Sequence, residues 1–486
     1  MAINKKLKQN GMPYIPETLS SALHYDFAAR AKSWSIEVDS LDYARRLDKD
    51  DPLRNFRKLF YYPKKKSFVE GSETVEDENE DCIYFCGHSL GLQLKSIEHN
   101  LQSVLQNWAD RAVESHFNGD LPAALCDIPL KENMAYLVGA EPDEIAIMNG
   151  LTVNIHFMLS TFYQPTEERH KILMVDNGFH SDLYAVQSHI KFRGYDYQKS
   201  IVFLKPRPGE QLINPKDIMN VIEQQGKEIA LIFMEGVHFY TGQLFDMKNI
   251  TRAGHKQGCT VGFDLAHAAG NVELHLHDWD VDFGLWCTYK YLNSGAGSMG
   301  AIFVHRKHTS ENIILPALRG WWGLSNEKKF DLSRTFEPAP GADRFKVSNP
   351  SPFLAAMILA NLKVFKEAGV DRLLEKQRLL SGYLEYLLMK HFPPVDEEEA
   401  RRPNIQIITP SNPKRRGCQL SLMSSVPIEI IDDQLKAKGI LCDVRKPSVL
   451  RVTPVPLYNS YKEVYQFVHT LKEIVSDLPY REGSTK

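Results

Sequence analysis

The chain lacks long apolar runs and has no marked excess of charge of either sign. None of its apolar segments approaches the roughly 18 residues that a membrane-spanning helix needs. It carries 58 basic and 61 acidic residues, a formal net charge of -3 at pH 7. No global field therefore favours nucleic acid or an anionic membrane as a partner. The first residues, MAINKKLKQNGMPYIP, lack the apolar segment of a secretory signal, so no such signal is expected.

The chain is also poor in cysteine. Seven cysteines are scattered along 486 residues, and the closest pair is Cys82 and Cys86. This pair has neither CxxC nor zinc-finger spacing. Free thiols in a reducing compartment explain the distribution better than a disulfide framework does. We therefore predict a cytoplasmic protein.

What the chain does contain is the composition of a globular protein, with 43% hydrophobic and 24% charged residues. Its length is sufficient for two domains of ordinary size. We predict an N-terminal helical arm with an acidic surface loop over residues 1–82. A large domain over 83–349 and a small C-terminal domain over 350–486 follow. The basic run 64–66 and the acidic stretch 70–81 are interpreted as solvated surface.

Residues 83–349 alternate short apolar strands with helical segments. Stretches such as EIAIMNG, KILMVDN, IALIFMEGV and TVGFD are continuously apolar, which is typical of strands buried on both faces. Helical stretches lie between several of them, for example at 215–225 and 248–257. The alternation predicts an α/β domain with a mainly parallel sheet sandwiched by helices. Beyond residue 350 the pattern predicts a smaller α+β domain.

Lys290 stands in the stretch DFGLWCTYKYLNSGAGSMGAIFVH, around which the chain is organised. We predict strands over 281–288 and 301–305, separated by small residues that turn tightly and approach a ligand closely. A lysine beside an apolar strand loses its proton more readily, because desolvation disfavours the charged amine. A Schiff-base lysine needs this property. A solvated lysine at a strand end is the plainer alternative.

Two further residues stand at predicted strand ends, where open α/β sheets bind their ligands. Thr152 begins an apolar helix, whose free amides favour a phosphate. Asp264 ends the strand TVGFD. Each residue, taken alone, is also explained as a helix cap. Together with Lys290 they describe a pyridoxal phosphate site, which requires a Schiff-base lysine, an acid for the ring nitrogen and a phosphate anchor.

A metal site is the alternative that the stretch ELHLHDWDVD raises. His275 and His277 are two residues apart and would point to one side of a strand, an arrangement that metal-dependent hydrolases use. A second pair of histidines at other strand ends is not evident. Asp278, Asp280 and Asp282 look like turn residues. We therefore predict no metal.

The sequence resembles the kynureninase family, pyridoxal phosphate enzymes with the aspartate-aminotransferase-like fold (fold type I). The matching stretches run from about residue 83 to 461 and include YFCGHSLGLQ, NGLTVN, FHSDLYA, GVHFYTGQ, GFDLAHAAGNVELHLHDW, YKYLNSGAG, PALRGWWG, KVSNP, GCQLS and LRVTPVPLYNS. The resemblance implies hydrolysis of the Cβ–Cγ bond of L-kynurenine and 3-hydroxy-L-kynurenine. The products are anthranilate or 3-hydroxyanthranilate and L-alanine, in tryptophan degradation and NAD biosynthesis.

The resemblance also implies a role for each residue that matches the family's cofactor site. Lys290 forms the Schiff base with the cofactor, Asp264 pairs with the ring nitrogen, and Phe179 stacks on the ring. Further matching cofactor positions are Leu151, Thr152, His180, Ser181, Asp182, Glu235, His267 and Tyr289.

Other matches imply a shared site and a substrate pocket. Trp321 and Asn349 match cofactor-site positions that the family supplies from the neighbouring subunit, which implies a homodimer. Arg451 matches the arginine that grips the substrate's α-carboxylate, a task suited to a guanidinium fork. Ser89, His116 and Asn349 match positions around the substrate's aromatic ring. His116 with Asn349 resembles the pairing in members that favour 3-hydroxykynurenine, so we expect that preference here.

Three positions depart from the family pattern. Glu235 stands where the family usually has a small hydroxyl residue. His88 replaces the asparagine of the family's GNSLGLQ stretch. The residues after His116, FNGDLPAALCD, lack the family's basic-Pro-Trp run. These departures spare the lysine chemistry and bear on cofactor affinity and ring-pocket specificity.

The implied mechanism begins when the substrate amine displaces Lys290. The freed lysine removes the Cα proton while the protonated cofactor ring stores the electrons. Water then adds to the γ-carbonyl, with Tyr289 as the acid-base group. Breakage of the Cβ–Cγ bond releases an anthranilate, and the remaining fragment leaves as alanine.

Two alternatives stay open. A cysteine desulfurase-like lyase shares the fold and cofactor but requires a reactive cysteine on a mobile loop, and none stands in an obvious place. A non-catalytic relative would bind without reacting. The intact Lys290, Asp264 and Arg451 argue against that second alternative.

Overall fold

The computed structural model describes residues 19–68, 80–310, 315–329, 334–394 and 402–479. Most of the acidic stretch at 70–81 lies outside these ranges. The α-helices α1 to α13 of the described residues are, in chain order, Leu19–Trp34, Leu41–Asp50, Ser96–Arg111, Ile128–Val138, Leu151–Phe162, His180–Phe192, Tyr197–Ser200, Pro215–Gln225, Met247–Lys256, Pro352–Ala368, Val370–His391, Ile428–Ala437 and Tyr461–Asp477. The strands β1 to β13 are Ile83–Tyr84, Ile145–Met148, Lys171–Val175, Ile201–Leu204, Ile229–Glu235, Thr260–Asp264, Phe283–Cys287, Gly300–Val304, Ile405–Ile407, Leu420–Ser424, Ile440–Leu441, Asp443–Arg445 and Val449–Val452.

The central sheet has seven strands in the order β2-β8-β7-β6-β5-β3-β4. Strands β7, β6, β5, β3 and β4 pair in parallel. Strand β8 runs antiparallel to both β2 and β7, and a loop without a crossover helix, residues 288–299, connects it to β7. The predicted α/β fold with a mainly parallel sheet is confirmed.

Helices cover both faces of this sheet, as the continuous apolar strands predicted. In β5, Leu231 belongs to the apolar cluster that includes Met158 of α5. The next residue, Ile232, belongs to the opposite cluster, which includes Ile250 of α9. Successive strand residues point to opposite faces, so a strand covered on both sides needs apolar residues at every position.

The C-terminal part forms a smaller α+β domain, also as predicted. Its antiparallel sheet has the order β12-β13-β10-β9, with α11, α12 and α13 packed in the same apolar cluster. Helices α1 and α2 join this cluster: the rings of Tyr43 and Tyr383 lie 5.9 Å apart, and the Tyr383 hydroxyl donates to the Val38 carbonyl at 3.1 Å. The division at residues 82/83 and 349/350 stays a prediction.

The charged stretches near residue 70 contact one another where they are described. Lys64 forms an ion pair with Asp81, and Lys65 forms one with Glu80. The basic run is therefore paired with the end of the acidic stretch, and such exposed pairs contribute little stability. Within the described ranges, no helix combines the length and the apolar character needed to cross a bilayer.

Candidate active site

The carboxyl ends of β2, β3, β5, β6 and β7 lie at one edge of the central sheet. Strand β2 shares the direction of the parallel strands because β8 is antiparallel to both of its neighbours. Ligands bind at this edge in open α/β sheets. A cavity of about 220 Å³ opens there, lined by Gly150, Leu151, Thr152, Val153, Phe179, Ser181, Glu235, Val237, Asp264, Ala266, His267, Tyr289, Lys290, Gly297 and Ser298.

Lys290 is a wall of this cavity and is only 9% exposed. Its Nζ lies 3.2 Å from Nε2 of His267 and 5.7 Å from the centre of the Phe179 ring. Gly91 holds the lysine loop from behind, since its N–H donates to the Tyr289 carbonyl at 2.9 Å. A Cβ at Gly91 would lie 2.4 Å from the Lys290 carbonyl oxygen, so only glycine allows this approach. The fold thus buries a lysine amine at a ligand-binding edge.

Three buried carboxyl groups accompany the lysine: Asp182 of α6, Glu235 at the end of β5 and Asp264 at the end of β6. Glu235 and Asp264 are directly paired across their strands. Burial raises the pKa of Asp182 well above its ordinary value, and the neighbouring acids raise it further. Burial and the charge of Asp264 raise the pKa of Glu235 to about 8. Burial also raises the pKa of Asp264, although Lys290 opposes the shift.

The start of α5 forms another wall. Its N-cap is Gly150, which makes no side-chain capping bond, so Thr152 is not the cap. The Thr152 hydroxyl lies 2.6 Å from the hydroxyl of Ser181, near the start of α6. Free helix amides and two hydroxyl groups therefore lie together, the combination that an anion such as phosphate prefers. Asp264 does stabilise its own turn, because its Oδ1 accepts the N–H of Ala266 at 2.7 Å.

These residues fit pyridoxal phosphate by the chemistry of their donors and acceptors. Oε2 of Glu235 and Oδ1 of Asp182 are buried without a hydrogen-bond partner among the described residues. Buried carboxyl oxygens in this state require a proton or a cation nearby, and a protonated pyridine nitrogen supplies both. The lysine amine can take up an aldehyde, and the start of α5 can hold a phosphate.

Arg451 of β13 is buried but is not among the residues that line the cavity. Its Nη2 lies 2.6 Å from Oδ1 of Asp443, and its Nη1 donates to the carbonyl of Phe239 at 2.7 Å. Burial lowers the pKa of this guanidinium, and Asp443 opposes the shift. The Phe239 ring in turn packs edge-on against the Phe179 ring at 5.5 Å. Arg451, the predicted carboxylate-binding residue, is thus linked through Phe239 to Phe179, the predicted stacking ring.

The other predicted residues lie outside the cavity wall. Ser89 is half-buried, and its N–H donates to the Cys86 carbonyl at 2.8 Å. His116, His180, Trp321 and Asn349 are exposed. Three of these four were predicted for the substrate ring pocket or for a neighbouring subunit. In the single chain none of these residues lines the cavity around Lys290.

His88, the departure from the family's asparagine, is fully buried. Neither of its ring nitrogens has a hydrogen-bond partner among the described residues. Its ring lies 6.2 Å from that of His267. Burial lowers the pKa of His88 well below its ordinary value, and the charges of Arg451 and Lys290 lower it further. A neutral imidazole is therefore buried close enough to both the lysine and the arginine for their charges to act on it.

The histidine pair considered for a metal does not lie on a strand. Residues 271–280 form turns and irregular chain, so His275 and His277 do not share one side of a strand. His275 contacts Glu273 at 2.9 Å, and Nδ1 of His277 lies 2.9 Å from Oε1 of Glu144. The rings of His277 and His305 stack in parallel at 4.9 Å, and one ligand atom from each of Glu144, His277 and His305 lies within 4.8 Å of the others. The predicted His275–His277 pair is thus not the arrangement found, and the absence of a metal stays a prediction.

Sequence reasoning missed several cavity residues. Gly297, Ser298 and Val237 line the cavity, and Gly91 fixes the lysine loop from a distant segment. The small-residue run after Lys290 signalled the first two. Nothing in the sequence alone connects Gly91 to Tyr289, because their contact depends on tertiary packing.

Two family profiles match the chain. The profile described as Aminotransferase class-V matches residues 123–405. The profile described as Kynureninase C-terminal domain matches residues 381–471.

Curated relatives match along most of the chain. The kynureninase of Mus musculus is 46% identical over 92% of this chain and 96% of its own length. That of Homo sapiens is 44% identical over 89% of this chain and 92% of its own length. The bacterial kynureninase of Koribacter versatilis is 45% identical over 88% of this chain and 96% of its own length.

Solved structures share the fold at lower identity. The apo cysteine desulfurase of Thermococcus onnurineus superposes with a TM-score of 0.67 at 16% identity, covering 86% of this chain and all of that one. A C-DES mutant with glycine covalently linked to its PLP cofactor superposes with a TM-score of 0.65 at 16% identity. It covers 85% of this chain and 99% of that one. At such identity the likeness establishes the fold alone.

Proposed function

The chain belongs to the kynureninase family, and on that premise we propose which of its residues carry each part of the reaction. The protein is a pyridoxal phosphate-dependent hydrolase that cleaves the Cβ–Cγ bond of kynurenine. Its substrate is a small amino acid. The role of each residue, the preferred substrate and the assembly follow as proposals.

Lys290 binds the cofactor and moves the proton at Cα. Its buried position beside His267 and Phe179 supports both tasks, since these contacts hold the amine at one place in the cavity, where it can meet the cofactor aldehyde and the substrate. Bound there, pyridoxal phosphate supplies an electron sink for the bonds at the substrate's Cα. Asp264 keeps the ring nitrogen protonated, and its place beside two further buried carboxyl groups supports this role.

The remaining residues assigned to the cofactor orient it. Thr152 and Ser181 hold the phosphate at the start of α5, supported by their 2.6 Å contact. Phe179 stacks on the ring. Leu151, His180, Asp182, Glu235 and His267 complete the cofactor site.

Tyr289 donates and accepts the proton when water adds to the γ-carbonyl. It lines the cavity next to Lys290. Burial raises the pKa of its hydroxyl well above the ordinary value, so the phenol keeps its proton at neutral pH and can act as an acid.

Arg451 binds the substrate's α-carboxylate. Its burial and its bond to the Phe239 carbonyl support this role, because a guanidinium held in place loses little entropy when it grips a carboxylate. Asp443 holds the same guanidinium in the absence of substrate.

The enzyme is a homodimer with shared active sites, is cytoplasmic, and prefers 3-hydroxykynurenine. The exposure of Trp321, Asn349 and His116 in the single chain supports a site completed by a second subunit. Ser89, His116 and Asn349 then surround the substrate ring. The cytoplasmic location is supported by seven free cysteines, of which six are buried and Cys86 is half-buried.

The same cysteines argue against a desulfurase-like reaction. Such a reaction needs an accessible thiolate. Burial raises the pKa of Cys86 well above its ordinary value, which makes this least-buried cysteine a poor nucleophile. The buried lysine, the strand-paired acids and the anchored arginine also argue against a relative that only binds.

The observation that carries the proposal is the burial of Lys290 in one cavity with Asp264 and Thr152. The test is the absorption spectrum of the purified protein before and after borohydride, followed by 3-hydroxykynurenine. We expect the untreated protein to show a yellow absorption band and to release alanine. Borohydride should abolish both. If borohydride abolishes the band but the untreated protein forms no product, the cofactor assignment stands and the proposed reaction is rejected.

A further inference from the structure

Glu235 connects two segments that the proposed function uses separately. Its Oε1 accepts the backbone N–H of Phe179 at 2.9 Å, and the Phe179 ring packs edge-on against the Phe239 ring at 5.5 Å. The Phe179 ring faces the Lys290 amine at 5.7 Å. The Phe239 carbonyl holds Arg451. One buried side chain therefore fixes the backbone under the predicted stacking ring, and this ring packs against the residue that holds the predicted carboxylate-binding arginine.

Two different elements hold the Phe179 backbone: its carbonyl accepts the N–H of Asp182 within α6 at 3.1 Å, and its own N–H has the Glu235 carboxyl of β5 as partner. Phe179 is the N-cap residue of α6 without a side-chain capping bond, and its side chain is 40% exposed. An N-terminus without a cap frays more easily. Glu235 instead accepts the N–H of the N-cap residue itself, as the acidic side chain of a capping box does.

We propose that Glu235 is a positioning residue, whose carboxyl clamps the Phe179 backbone so that the cofactor ring is held against Lys290. This inference rests on the proposed function, which assigns the cofactor to this cavity. Glu235 acts through Phe179 and takes no proton in the reaction itself.

The groups around Glu235 favour the protonated, uncharged form of its carboxyl group. The groups that face it are Asp264 on β6, Asp182 on α6, Lys290 and His238. Burial and Asp264 raise the pKa of Glu235 to about 8, with Lys290 opposing. Burial lowers the pKa of His238 to about 4, so the imidazole 3.7 Å from Oε2 carries no charge that would favour the carboxylate. At neutral pH the Glu235 carboxyl is therefore protonated and uncharged, and Asp264 carries the negative charge of this pair.

The test compares Glu235→Gln, which keeps an acceptor for the Phe179 N–H, with Glu235→Leu, which removes it. The matched control is Glu228→Gln, just before the other end of β5, where the side chain is exposed. The readouts on the full-length protein are the cofactor dissociation constant and the visible circular dichroism of the bound cofactor. We expect Leu to weaken binding about tenfold and to diminish the dichroism, whereas Gln and the control behave like wild type. Equal spectra and affinities for Leu and wild type would overturn the proposal.

A second readout does not depend on whether Glu235→Leu folds. Between the ordinary Glu value of 4.5 and about 8, the folded protein keeps a proton that the unfolded chain has lost. Wild type therefore loses stability relative to Glu235→Gln as the pH rises through this window. A difference in melting temperature that stays constant with pH would contradict the uncharged clamp. If borohydride labels no lysine even in wild type, the proposed function itself fails. If borohydride labels the Glu235 variants and their dichroism equals that of wild type, only the role of Glu235 is refuted.

Discussion

The side-chain nitrogen of Lys290 lies 3.2 Å from Nε2 of His267. Burial lowers the pKa of His267 well below its ordinary value, and the charges of Lys290 and Arg451 lower it further. The imidazole is therefore neutral, and its Nε2 accepts a hydrogen bond from the lysine. This bond fixes the amine at the carboxyl ends of the strands, facing the Phe179 ring.

Replacement of His267 tests the importance of this bond. We expect His267→Ala to weaken cofactor binding about tenfold or more, because a hydrogen bond to an amine of this kind contributes roughly 1.5 kcal/mol. His267→Gln supplies another acceptor and should restore most of the affinity. Equilibrium dialysis against pyridoxal phosphate measures both. Equal loss in the two variants would show that the bond itself is unimportant.

Arg451 is expected to affect substrate binding more than turnover. Arg451→Lys keeps the charge but removes the guanidinium fork, so we expect KM for kynurenine to rise about tenfold with a smaller change in kcat. The matched control is Arg445→Lys, since Arg445 contacts the same Asp443 and is partly exposed. A fall in kcat at unchanged KM would argue against carboxylate binding by Arg451.

A shared active site predicts complementation between two inactive variants. In a heterodimer of Lys290→Ala and Trp321→Ala subunits, one site combines both defects and the other combines both intact residues. We expect the purified heterodimer to regain about half of the wild-type activity. The measurement uses two differently tagged subunits that are co-expressed and purified in sequence.

The two homodimers serve as controls and should stay poorly active. A heterodimer no more active than these controls would contradict the sharing of Trp321 between subunits. A monomeric wild type in sedimentation analysis would contradict the dimer itself.

Acid sensitivity is expected from Asp282 at the opposite end of the sheet. Burial alone would raise the pKa of Asp282, but hydrogen bonds from His255 and His308 and the charge of Lys307 hold it well below its usual range. The stability that this carboxylate contributes is present above the ordinary value of 3.8 and is lost as the pH falls below it. We expect Asp282→Asn to lower the free energy of unfolding by about 3 kcal/mol at neutral pH.

The difference from wild type should shrink as the pH falls below about 4, because the unfolded wild-type chain then takes up a proton that the folded protein does not bind, which favours unfolding. Denaturant unfolding at several pH values measures it. The exposed Asp278, replaced by Asn, is the control and should change little. A destabilisation by Asp282→Asn that is equal at all pH values would rule out the ionic explanation.

Local sequence patterns were sufficient for the elements that carry the cavity. The apolar strands ending at Asp264 and before Lys290, and the helix that contains Thr152, appear within a few residues of their predicted bounds. Rules for parallel sheets then bring their ends to one edge. These three residues meet in one cavity because each lies at or just after the carboxyl end of a strand in the same sheet.

Contacts between distant segments could not be predicted from the sequence. The bond of Gly91 to Tyr289, the hold of Asp443 on Arg451 and the packing of α1 on the C-terminal helices depend on tertiary structure. The exposure of Trp321 has a different origin. A single chain does not contain the second subunit that we propose covers it.

Alanine release from 3-hydroxykynurenine by wild type and by Lys290→Ala tests the central claim most directly. The control is Lys248→Ala, an exposed lysine at the start of α9. We predict that wild type and the control release alanine at similar rates, while Lys290→Ala is at least about a thousandfold slower because both covalent binding and proton transfer are lost. A Lys290→Ala variant with the wild-type rate would contradict the account.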